Sequence, residues 1–115
     1  MENFGQVECV TALRFPTCPS KEELLEIMDK SIEFIGMELC GEPDVRNFPQ
    51  NGKGGVGDQI YRALTESYMV SGTWKELNLT RVLLSSCKAY DEVALISYIS
   101  KLLKARPESI NRFSF

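Results

Sequence analysis

The chemically versatile side chains of this sequence gather in one run, Glu66-Ser67-Tyr68-Met69-Val70-Ser71-Gly72-Thr73-Trp74-Lys75-Glu76, with Ser85-Ser86-Cys87 closing the stretch that follows. Ser67 and Cys87 offer nucleophilic oxygen and sulfur, Glu66 and Glu76 offer carboxylates, and Trp74 offers a broad aromatic face. An indole offers a face for stacking and a carboxylate accepts hydroxyl donors. Covalent work asks for more: an activated nucleophile and a positioned proton carrier. The chain has no histidine. Tyr68, with a reference pKa of about 10, stays protonated at neutral pH, and Glu66 or Glu76 serves as a base only if burial raises its pKa substantially. Groups that hold a ligand are therefore present, and an obvious activating base is not.

Glu66, Ser67, Thr73, Trp74, Glu76 and Cys87 fall, without a gap, in register with the processing-site segment of prokaryotic S-adenosylmethionine decarboxylases, which this stretch resembles. That family carries Glu-Ser-His, then His-Thr-Trp-Pro-Glu, then a strand ending in Thr-Cys or Ser-Cys. Tyr68 and Gly72 stand where the family has its two histidines, and Lys75 stands at its proline. The resemblance covers residues 59 to 105 well and residues 1 to 50 only through element order.

In that family the serine hydroxyl attacks the carbonyl of the preceding glutamate, the ester eliminates, and a pyruvoyl group is left to form a Schiff base with the substrate amine. The resemblance thus implies that Ser67 is the residue to be converted, Glu66 its neighbour across the cleaved bond, and Cys87 the proton donor to the decarboxylated carbon. It also implies that Trp74 and the looser match Phe48 lie against an adenine and that Glu76 accepts the ribose hydroxyls. Position 72, where the family's histidine assists self-processing, has no side chain here. The expectation is an uncleaved S-adenosylmethionine decarboxylase-like protein with no cofactor. It would bind S-adenosylmethionine or a related adenosine compound, or regulate an active paralogue. The rivals are a working pyruvoyl-dependent decarboxylase of spermidine biosynthesis, its pyruvoyl made from Ser67, and an interaction module without ligand.

Composition narrows the setting. A chain of 115 residues suits one domain, residues 1–115, and burial of roughly two-thirds of its unfolded surface. No stretch approaches the roughly 20 apolar residues of a membrane span, and Met1-Glu2-Asn3-Phe4 has neither the basic region nor the apolar run of a secretory signal, so a cytoplasmic protein is expected. Residues 1–50 hold four Lys/Arg against ten Asp/Glu, whereas residues 51–115 hold nine against six. The basic half can draw in an anionic partner, but a pI of about 5 and the lack of a basic run argue against nucleic acid. Cys9, Cys18, Cys40 and Cys87 lie far apart with no CxxC, and without histidine a zinc site would need all four thiolates or help from carboxylates; reduced, partly buried thiols and no metal are expected.

The elements that position these residues follow from pattern. Gln6 to Leu13 reads as a strand near the middle of a sheet. Ser20 and Glu23 form a capping box for a helix whose stripe is Leu24, Leu25, Met28, Ile32 and Ile35, with Gly36 placed to end it. Met37 to Leu39 suggests a second strand. Asn51 to Asp58, with four glycines, reads as a loop or wide hairpin tip; Gly52, Gly54 and Gly57 match the dinucleotide spacing, but Pro49 precedes them and no clean strand enters. Gln59 to Glu66 and Tyr68 to Trp74 are taken as strands on the strength of the resemblance, since periodicity alone also allows a helix. Leu77 to Ser86 alternates as a strand, Arg81 interrupting its apolar face at a sheet edge or an oligomer contact. A helix from Asp91 to Ala105 buries Leu95, Ile96, Ile99, Leu102 and Leu103 and stops before Pro107, and the tail either adds a short strand or stays loose. Two helices on one face of a mostly antiparallel sheet make an α+β sandwich. The resemblance implies that two such protomers pair, as a homodimer or with a paralogue, their helices outside and their sites at the junction.

Overall fold

Alternation along the apolar runs sorts the side chains into a face that must be covered and a face that need not be. The computed structural model describes residues 8–49 and 55–114. The elements are β1 (Cys9–Phe15), α1 (Lys21–Phe34), β2 (Asp44–Phe48), β3 (Gly57–Leu64), β4 (Ser67–Trp74), β5 (Leu79–Ser86), α2 (Glu92–Leu103) and β6 (Ser109–Ser114). The strands form one antiparallel sheet in the order β2-β3-β4-β5-β1-β6. Leu13 and Phe15, Ile60 and Leu64, Met69, and Val82 and Leu84 point to the same side, where Leu24, Met28 and Ile32 of α1 and Leu95, Ile99 and Leu103 of α2 complete the core. The fold is α+β, with both helices packed on one face of the sheet.

Local chemistry sets the ends of these elements. Ser20 accepts a hydrogen bond from the Glu23 N–H while the Glu23 carboxylate accepts one from the Ser20 N–H, a capping box that holds the Glu23 carboxyl below its usual range. Gly36, at φ 76°, supplies the left-handed residue after the helix. Asp91 caps α2 through the Ala94 N–H. Arg62, buried on the helix side of β3, is neutralised by a two-pronged ion pair with Asp29 of α1 at 2.8 Å and also donates to the Gly41 carbonyl.

Two expected elements change, and open alternatives elsewhere are decided. Met37 to Leu39 is not a strand: Leu39 makes only an isolated bridge to Leu64, and Asp44–Phe48 is the sheet's second strand in sequence, an edge strand whose short length suits its punctuated surroundings. Leu77 lies in a single turn of 3-10 helix, Lys75–Leu77, because Asn78 takes the left-handed conformation and delays β5 to Leu79. The tail is a strand, β6, paired along β1. Arg81 is not at an edge; β5 lies between β4 and β1. Gly52 and Gly54 lie outside the described residues, while Gly57 opens a strand rather than leading into a helix, which removes the dinucleotide reading.

Candidate functional site

Strand β4 carries both halves of the predicted site, one at each end. At its start, Thr65 and Glu66 form the turn from β3, and Glu66 adopts φ 66°, a left-handed conformation that a residue with a Cβ enters at a cost of about 1–2 kcal/mol. Ser67 then pairs with Ser86 across the ladder. Its hydroxyl donates to Ser86 Oγ at 2.8 Å; Ser86 Oγ accepts as well from the Lys88 N–H at 2.9 Å and donates its own proton to the Lys88 carbonyl. No side chain in this network is a base, so the Ser67 proton is held rather than withdrawn. Cys87 follows immediately on Ser86 and is exposed, as is Cys40, whereas Cys9 and Cys18 are half-buried; all four are free thiols. The partly buried state expected for Cys40, and the buried packing a cysteine at this strand end could have had, are therefore not found.

At the far end of β4, Phe48, Gly57, Gly72 and Trp74 surround an open cavity of about 200 Å³, with Gly55, Val56 and the Asp58–Gln59 backbone completing its wall. Two of the glycines shape its wall. A Cβ on Gly57 would come within 1.8 Å of the Thr73 carbonyl oxygen, so only glycine lets the strands close at this rung. Gly72 leaves room that the Trp74 ring edge takes: its Cζ3 and Cη2 atoms lie 3.5 Å from where a Cβ would stand. Arg81, opposite Gly72 in the ladder, holds its guanidinium 5.2 Å from the centroid of the Trp74 ring. Both oxygens of Glu76 accept from the Val56 N–H, at 3.0 and 2.8 Å, and the Val56 carbonyl in turn accepts from the Lys75 N–H. Glu76 therefore pins the rim of the cavity instead of presenting its carboxylate inside it.

Glu66, Ser67 and Cys87 thus sit together, and so do Phe48, Trp74 and Glu76, but the two groups are apart. Seven residues of extended chain separate Ser67 from Trp74, about 23 Å, and five separate Ser67 from position 72, about 17 Å. Within one chain neither the aromatic cavity nor a side chain at position 72 reaches the Glu66–Ser67 bond. Among the described residues no three His, Cys, Asp or Glu side chains converge as a metal site, and no helix is long and apolar enough to cross a membrane.

Three residues with clear roles here escape a reading by motif. Gly57 needs the strand pairing to show its close approach. Ser86 needs the register to show that it accepts the Ser67 hydrogen bond. Arg81 was visible as a charge on an apolar face, although its place over Trp74 was not. No known family model and no curated protein sequence matches the chain.

Proposed function

We propose that this chain is an S-adenosylmethionine decarboxylase-like protein that stays uncleaved at Glu66–Ser67 and binds S-adenosylmethionine or a related adenosine compound between Phe48 and Trp74. The observation that carries the reading is the hollow itself: Phe48 and Trp74 border an open space walled by Gly55, Gly57 and Gly72, and so offer aromatic faces to a flat purine. The fixed Ser67 hydroxyl supports the uncleaved state, and with no pyruvoyl group the protein needs no cofactor. Free thiols suit the cytoplasmic location that belongs to this proposal. The uncovered sheet face also exposes Tyr61 and Tyr68 near the start of β4, the patch on which a second copy or a paralogue would pack while the Trp74 end stays open to ligand.

Intact mass and calorimetric titration test this. The expected mass is that of the uncut 13.0 kDa chain, with heat of binding from S-adenosylmethionine or adenosine that Trp74→Ala removes. Two fragments divided between Glu66 and Ser67 would establish the working pyruvoyl decarboxylase instead. An uncut chain that takes up neither compound would leave an interaction module.

A further inference from the structure

The strand register aligns one row of side chains straight across the uncovered face: Arg46, Gln59, Gly72, Arg81, Arg14 and Ser109, one from each strand. Arg14 and Arg81 are direct cross-strand partners, and like charges so placed repel one another. Among the described residues neither takes part in an ion pair, while Arg46 is satisfied by Asp44 and Glu76 by the Val56 N–H. Both side chains are exposed. Each lines a hollow: Arg81 shares one of about 250 Å³ with Gln59, Gly72 and Trp74, and shares another of about 190 Å³ with Arg14, Ser109 and Asn111. The first of these also shares Gln59, Gly72 and Trp74 with the aromatic cavity. Three hollows therefore run in a row from Phe48 to Ser109, aromatic at one end and doubly cationic at the other.

We infer that the Arg14–Arg81 pair is an anion site that takes the phosphates of an adenine nucleotide whose base lies against Trp74. This rests on the adenosine reading above and narrows it to an anionic member of that class. From β4 to β1 is two strand spacings, about 10 Å, comparable to the reach of a ribose 5′-diphosphate from its base. Guanidinium groups bind phosphate oxygens through paired, charge-assisted hydrogen bonds, and Ser109 and Asn111 add neutral donors beside them. S-adenosylmethionine, with a sulfonium and an ammonium against one carboxylate, carries net positive charge and gains nothing from two more cations.

Trp74 is the chain's one tryptophan, so its fluorescence reports on this site directly. Titrations with ADP, adenosine, S-adenosylmethionine and pyrophosphate at low and high salt should show ADP binding about tenfold or more tighter than adenosine at low salt, an advantage that shrinks as salt rises. Arg14→Gln, which leaves the Trp74 environment alone, should bring ADP down to the affinity of adenosine without changing adenosine itself; circular dichroism confirms that the variant is folded. Equal affinities for ADP and adenosine in the unaltered protein, or tighter binding of S-adenosylmethionine than of ADP, would overturn the anion site and leave the adenosine reading standing. If pyrophosphate binds as well as ADP and adenosine does not bind, the base contributes nothing, and both readings fall. Both fall too if none of the four probes binds, by fluorescence or by calorimetry.

Discussion

The two ends of β4 are built from the same strand and treat their polar groups in opposite ways. At the Ser67 end the hydroxyls are committed, Ser67 to Ser86 and Ser86 to the Lys88 backbone, and Glu66 sits in a left-handed turn. At the Trp74 end the backbone is committed and the faces are free, because Glu76 and Thr73 hold Val56 and Asp58 in place while Phe48 and Trp74 border empty space. On the proposed reading, that contrast belongs to a chain that would hold a ligand at its Trp74 end and leave the Glu66–Ser67 bond uncut.

Substitutions at the two ends break this contrast in turn. Gly57→Ala has the largest expected effect, since its Cβ must push the Thr73 carbonyl away: a loss of about 3 kcal/mol in denaturant unfolding, with the cavity spoiled. A variant as stable as the original would mean that β3 and β4 part easily and that the hollow is not rigid. Trp74→Ala should weaken adenosine binding by about 1–3 kcal/mol, the usual worth of a base stacked on an aromatic side chain, with little change in mass or fold. Unchanged affinity would place the ligand elsewhere. Ser67→Ala removes a hydrogen bond at the other end and should cost about 1 kcal/mol of stability, leaving ligand affinity and chain length as they were. Were the original chain cut and this variant whole, the Ser67 end would be active after all. The smallest effect belongs to Glu66→Gly. Relief of the left-handed backbone outweighs the extra entropy of an unfolded glycine, and the melting temperature should rise by an amount corresponding to about 0.5 kcal/mol.

Most of the architecture could be read from local pattern, because the features that set it are local. The capping box at Ser20, the stop at Gly36 and the stripes of both helices depend on residues three or four apart. Strands β3 and β4 were different. Ile60, Leu64 and Tyr68 keep a helical spacing as well as an extended one, so the resemblance rather than periodicity chose the strand. Element ends were missed where a single left-handed residue decides them, as Asn78 does before β5.

By itself the sequence determined which side chains exist to do chemistry: one indole, a serine following Glu66, several arginines, and no imidazole. Only the tertiary structure decided which of them meet. Pairing between strands distant in sequence placed Arg14 beside Arg81 and made Ser86 the acceptor of the Ser67 hydrogen bond, while the stiffness of an extended strand held Ser67 and Trp74 at opposite ends. Register is a long-range property, fixed by which faces the helices bury, and no local motif encodes it.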